Sequence, residues 1–146
     1  MHPKVWNAFE SGDKRKTASI IDLVGEGIES SFDLKDQREY TGYTVKKYTP
    51  MAFADGTSAS KADGSGDFRT SEHQDFVVVR YADVLLMAAE LGSSNAQLYF
   101  DKVRSRAGLT TKEPSQENIM KERFVEFAFE GQRYWDLLRQ GIDVAS

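Results

Sequence analysis

The chain contains no cysteine. Disulfides, thiolate catalysis and sulfur-ligated metals are thereby excluded, as is a lipid-bearing cysteine within these 146 residues. Histidine is almost as scarce. His2 and His73 stand in neither a Glu-x-x-His nor a His-x-x-x-His spacing, so the residues suggest no metal site and no cofactor. Positive charge is in deficit, with 19 Lys and Arg against 23 Asp and Glu and a net charge of −4. No cation-rich face is implied, and nucleic acid is not an expected partner. The short basic clusters at 14–16 and 46–47 read as solvated surface. No apolar run approaches the roughly 18 residues of a membrane span, and the opening MHPKVWNAFESGDKRK does not read as a signal peptide.

What the chain does have is aromatic bulk, with nine Phe, six Tyr and two Trp, and a helical second half. Residues 119–141, IMKERFVEFAFEGQRYWDLLRQG, carry apolar side chains at helical period: Phe124, Phe127, Ala128, Tyr134, Trp135 and Leu138 share one arc with Gly131. This spacing predicts one long helix, with Tyr134 and Trp135 as packing residues. Val125 and Phe129 lie opposite, so the helix is expected to be covered on more than one face. Between the stripes runs a charged ribbon, Glu122, Arg123, Glu126, Glu130 and Arg133. Glu122, Glu126 and Glu130 repeat at i, i+4, a like-charge spacing that is unfavourable unless cations offset it. Arg123 and Arg133 can offset two of the three. An arginine from elsewhere is therefore expected to dock here, with Arg80, Arg104 and Arg106 as candidates. If the partners are buried, Glu126→Ala or Arg133→Ala should each destabilise by about 2–4 kcal/mol.

Residues 77–91, VVVRYADVLLMAAEL, read as a helix with Asp83 and Glu90 as its acidic interruptions on one face, although the three valines could prolong an extended entry. A break at 92–94, with Ser94 as a plausible N-cap, leads to a second helix over 95–107 that Gly108 stops. So short a link makes the pair an αα-hairpin. Ser115 should cap the final helix, with Asn118 rather than Glu or Gln at the third position, and Gly141 should end it. The front half is less regular. Residues 41–48, TGYTVKKY, alternate like a short strand, and about twenty residues near 54–75 show no period.

No chemistry emerges from these residues. Acid–base catalysis needs two carboxylates across a cleft, and a row along one helix does not supply that. Residues 63–67, DGSGD, imitate a calcium loop, but Phe68 stands where the turn needs Gly and no Glu stands at Gln74. Trp6, Tyr40, Tyr43, Tyr48 and Phe53 lie outside the helical region and could stack on sugar rings, although most aromatics serve as core.

Four stretches in order carry a further signal: GDKRK at 12–16, TGYTVKKY at 41–48, RYADVLLMAAE at 80–90 with VRSRAGL at 103–109, and ERFVEFAFEGQRYWDLLRQG at 122–141. Together they resemble the C-terminal part of the SusD/RagB family, surface lipoproteins of outer-membrane nutrient uptake. The resemblance implies a mainly α fold: a tetratricopeptide-like αα-superhelix with irregular loops and little or no β-structure. One domain fragment would span 1–146, loop-rich over 1–75, a helical hairpin over 76–108 and a closing helix over 115–141. It further implies non-catalytic capture of glycan or another nutrient at the outer face of the outer membrane, for delivery to a SusC-like TonB-dependent transporter. Family members are several times longer, so the chain is expected to be a fragment, without the signal and lipidated cysteine of its family. The family's ligand contacts lie mainly upstream and transfer to no residue here. Arg80, Asp83, Glu90, Arg104, Arg106, Glu122, Arg123, Glu126, Glu130 and Arg133 match charged family positions and are expected to form a structural network. The competing reading is a stand-alone helical scaffold that binds a peptide or protein in a groove.

Overall fold

A computed structural model describes residues 1–28, 40–49 and 77–141. The aperiodic stretch near 54–75, the calcium-like run at 63–67, Phe53 and His73 lie outside the described residues. The elements are α1 (Pro3–Ala8), α2 (Arg15–Ser19), β1 (Ile20–Asp22), β2 (Tyr43–Val45), α3 (Tyr81–Glu90), α4 (Ala96–Arg106), α5 (Gln116–Glu126) and α6 (Gln132–Arg139). The architecture is mainly α.

α1 starts where His2 Nδ1 accepts from Lys4 N–H at 3.1 Å and Pro3 sits at the first helical position. Its short segment delivers Phe9 into the core. β1 and β2 pair antiparallel, Ile20 opposite Val45 and Asp22 opposite Tyr43. Ser19 O prolongs the ladder by accepting from the N–H groups of Lys46 and Lys47. The alternation within residues 41–48 thus yields a strand of three residues.

α3 and α4 form the hairpin. The valines at 77–79 are exposed, and α3 begins only at Tyr81, with Arg80 in extended conformation as its N-cap. Both helices close with the same bond pattern: Ser93 N–H reaches Ala88 O, and Leu109 N–H reaches Arg104 O. α4 starts from Asn95, not Ser94, and the nearby side-chain bond is Ser93 Oγ accepting from Asn95 N–H. Ser115 Oγ does cap α5, accepting from Asn118 N–H at 3.3 Å.

α5 lies between two apolar clusters. Ile119 and Phe127 pack with Leu85, Leu86, Phe100 and Val103 of the hairpin. Val125 and Ala128 pack on the other side with Phe9 and Ile20 from the N-terminal segment. Cover on two sides is as expected, but Phe124 and Ala128, expected on one arc with Phe127, pack instead in the cluster of Val125 and Phe129.

The single helix expected over 119–141 is instead two, and charge breaks it. A continuous helix would need Glu126 O to accept from the amide of Glu130, and Ala128 O from that of Gln132. Cations take these carbonyls. Arg80 Nη2 donates to Glu126 O at 2.9 Å, and Lys47 Nζ donates to Glu126 O and Ala128 O at 3.2 and 3.4 Å. Glu130 N–H turns to Phe127 O, Phe129 takes φ 68° and Gly131 takes φ 76° before α6 begins. Cations at the carbonyl end also suit the helix dipole. The turn has a second consequence: Arg123 and Asp136, about 20 Å apart along an unbroken helix, meet at 2.9 Å. It also leaves Tyr134, Trp135 and Leu138 exposed, so the expected packing role of Tyr134 and Trp135 does not hold.

Gly131→Ala separates the two geometries by sign. In a continuous helix the change would stabilise by about 1 kcal/mol. At a left-handed position it should destabilise by about 1 kcal/mol, and chemical denaturation measures the difference.

Candidate functional site

The densest constellation of charge in the fold stands on α5. Glu122 and Glu126 are buried, and the Glu130 side chain, one turn beyond, is nearly so. Glu122 and Glu126 stand one turn apart on α5, Glu130 follows in the turn beyond it, and cations from other segments converge on the three. Arg15 Nη1 contacts Glu122 Oε1 at 2.7 Å and Glu126 Oε2 at 2.9 Å. Arg80 spans the next step, with Nη1 on Glu126 at 2.8 Å and Nε on Glu130 at 2.8 Å. Arg104, only 2% exposed, reaches Glu122 at 2.8 Å and Glu10 at 2.9 Å. Arg106 Nη2 lies 2.5 Å from Glu126, and Lys47 pairs with Glu130. Asp13 holds Arg15 from behind with bonds of 2.7 and 2.9 Å. The ladder thus joins the N-terminal segment, the β2 exit, the α3 cap and α4 to one helix. No buried side-chain nitrogen or oxygen is left without a partner among the described residues.

Burial works to raise the Glu126 carboxyl, but hydrogen bonds from Arg15 and Arg80 and the charge of Arg106 hold it below its usual range. The Arg104 hydrogen bond, with help from Lys112, brings Glu10 down to about 2. Carboxylates so committed are locked anions, the opposite of the raised, poised acid that proton transfer needs.

A second network ties the hairpin to α6. Arg123 bridges Asp83 at 2.6 Å and Asp136 at 2.9 Å. Arg139 joins Asp136 at 3.0 Å to Glu90 at 2.5 Å, and Glu90 also accepts from Gln116 and Gln140. Arg80 and Arg123 both lie about 5 Å from the Phe127 ring centre. Over this network a groove of about 550 Å³ opens between α3 and α6, where Met87, Leu91 and Trp135 line it together with the charged groups of the network and with Gln116 and Gln132.

The residues picked out from the sequence are thus divided. Arg80, Arg104, Arg106, Glu122, Glu126 and Glu130 meet in the first network, and Asp83, Glu90 and Arg123 in the second. Arg133 joins neither: it is exposed, with its guanidinium 4.6 Å from the centre of the Phe124 ring. The helix break turns it away from Glu126 and Glu130. Sequence reasoning missed Arg15, Asp13, Glu10, Lys47, Asp136 and Arg139. Arg15 and Lys47 sit in the two basic clusters read as solvated surface, whereas Arg15 is buried. The available signal was the cation deficit of the ribbon. Of the aromatic candidates, Trp6 stacks on Tyr43 at 4.7 Å and carries Lys16 over its ring. Both are half-buried partners of the second core cluster.

The sequence profile of the SusD family matches residues 5–145. The chain belongs to the SusD family. Among its SusD-like relatives, SusD-like protein P2 of Formosa agariphila is 26% identical over 155 residues, covering 93% of this chain and 30% of that protein. A solved structure described as a laminarin-binding SusD-like protein superposes with a TM-score of 0.79 at 33% identity. It covers 96% of this chain and 30% of its own. Surface glycan-binding protein A from Bacteroides thetaiotaomicron, in complex with laminarihexaose, gives 0.77 at 28% identity, with coverage of 96% and 31%. The chain spans about 30% of these SusD-type proteins, and the mainly helical fold implied by the resemblance is the one present.

Two outcomes follow from this SusD-type network. Glu126→Ala removes the buried carboxylate shared by Arg15, Arg80 and Arg106 and should destabilise by about 3–5 kcal/mol, whereas Arg133→Ala, which removes an exposed ring contact, should change stability by about 1 kcal/mol or less. Urea unfolding of both variants checks the contrast. Acid should act through Glu10, Glu126 and Glu90, whose folded carboxyls are all lowered. Between the ordinary value of 4.5 and about 2 the unfolded chain takes up protons that the folded one refuses. Stability present above pH 4.5 should therefore fall as pH drops through that window, and thermal melts at stepped pH report it.

Proposed function

We propose that this chain is part of a SusD-type surface receptor that captures glycan without altering it. The receptor sits on the extracellular face of the outer membrane and delivers its ligand to a SusC-like TonB-dependent transporter. The observation that carries this reading is the superposition, over 96% of the chain, on a relative in complex with laminarihexaose. A second relative of the same fold is described as laminarin binding. The carboxylate chemistry is in keeping with capture alone: each glutamate of the α5 ladder is held by guanidinium or ammonium groups. In this reading the ladder stiffens a scaffold and the ligand is gripped elsewhere in the longer receptor.

Titration calorimetry of the longer receptor that contains this chain, against a panel of oligosaccharides, tests the reading. Binding of at least one glycan is expected, with the sugar recovered at its original length by chromatography. Shortened products, or no binding to any glycan while a peptide binds, would contradict it.

A further inference from the structure

Between the N-terminal segment and α5 lies a recess of about 250 Å³. Its walls come from three places: Ala8 and Glu10 where α1 ends, Lys112 on the link ahead of α5, and one face of α5 itself. Asn118, Lys121, Glu122 and Val125 stand at i, i+3, i+4 and i+7, so they share that face. The loop opposite is fixed in place. Phe9 and Asp13 are buried, Asp13 N–H reaches Glu10 O at 3.2 Å, and Lys14 N–H reaches Ala107 O at 3.0 Å. The recess is therefore shaped by the fold before any ligand arrives, which lowers the cost of binding.

Its size, charge and polarity each narrow what it can hold. Pockets for drug-sized molecules run to roughly 300–1,000 Å³, so this one admits a single ring rather than a chain. Of the lining residues, three are acids, Glu10, Asp13 and Glu122, and three are cations, Arg104, Lys112 and Lys121. The charges cancel, and a charged ligand gains no net attraction. Ala8, Val125 and Phe124 make one side apolar, while polar groups with capacity to spare make the rim. Lys112 Nζ pairs with Glu10, and Lys121 Nζ with Glu117, each using one of three N–H donors. Asn118 donates Nδ2 to Glu113 O, and among the described residues no hydrogen bond reaches its Oδ1. A sugar ring has the matching make-up, with a C–H face and hydroxyls that both donate and accept.

We propose that this recess is a subsite for one neutral sugar ring, its C–H face toward Ala8, Val125 and Phe124 and its hydroxyls bonded to Asn118, Lys112 and Glu10. The subsite rests on the glycan-capture reading above and adds a ligand contact within this chain to the main grip elsewhere. The ring is the end residue of a captured glycan or a free monosaccharide; both present the same chemistry, and the test separates them.

Saturation-transfer NMR on the longer receptor that contains this chain, with glucose, galactose, mannose and glucuronate as probes, reads the subsite. Calorimetry with an oligosaccharide reads the main grip. At least one neutral monosaccharide is expected to bind with a Kd on the order of 1 mM, and Asn118→Ala with Lys112→Met should weaken it about tenfold or more. Lys102→Met, exposed on α4, should leave it unchanged. If the paired variant does not fold, Lys112→Met alone serves, with a loss of about threefold or more. Oligosaccharide affinity that falls with the same variant assigns the ring to the end of the glycan, and unchanged affinity assigns it to a free sugar; both bear the subsite out. Neutral-sugar binding that survives the substitutions would overturn it, as would glucuronate bound more tightly than every neutral sugar. An oligosaccharide bound with no monosaccharide bound would overturn the subsite and leave the capture reading standing. No sugar of any length bound would overturn both.

Discussion

Two buried carboxylates on α5 and a third in the turn just beyond it would repel each other, and this fold is built on their neutralisation. Glu122, Glu126 and Glu130 cannot be buried together unless cations arrive from outside α5. Those cations are distant in sequence: Arg15, Lys47, Arg80, Arg104 and Arg106. Satisfying the row therefore dictates which segments meet. Apolar burial of Phe100, Val103 and Ile119 supplies a driving force for packing the hairpin on α5. Ion pairs with two or three partners each fix the register in which it packs. Two of these cations, Lys47 and Arg80, also take the carbonyls at the end of α5, and this end lets α6 turn back so that Asp136 meets Arg123. Helix length, helix break and tertiary docking thus share a single electrostatic cause.

Much of this was legible in the residues. The αα-hairpin followed from apolar spacing and a short Ser-rich break, the cap at Ser115 from its place ahead of the final helical stretch, and the demand for outside arginines from the surplus of glutamate on the ribbon. The helix break was not legible. Residues 119–141 keep helical period throughout, and Gly131 alone is weak evidence of an end. What stops the helix is a pair of cations more than forty residues away in sequence, and local pattern carries no trace of them. Arg15 and Lys47 were hidden for a related reason. A short basic run looks the same whether its middle residue meets water or a buried carboxylate, and only the partner's position tells them apart. Tyr134 and Trp135 then followed the error in the helix, since their inward stripe existed only along an unbroken rod.

Membership in the SusD family places this architecture in a setting. The matched relatives are about three times as long as the chain, and a slice of a larger fold should look like this one: well satisfied in its polar interior, and apolar where the next layer belongs. The inverted polarity of α3 fits that description. Its acids serve the internal network, while Tyr81, Val84, Met87 and Leu91 stand exposed.

The central claim is that the ladder on α5 couples remote segments energetically, and a double-mutant cycle between Arg15 and Glu126 measures it most directly. The two residues are 111 positions apart and in contact at 2.9 Å. With Arg15→Met, Glu126→Gln and the double variant unfolded in urea, a coupling energy of about 1.5–3 kcal/mol is predicted. A coupling below about 0.5 kcal/mol, the range of exposed pairs, would contradict it.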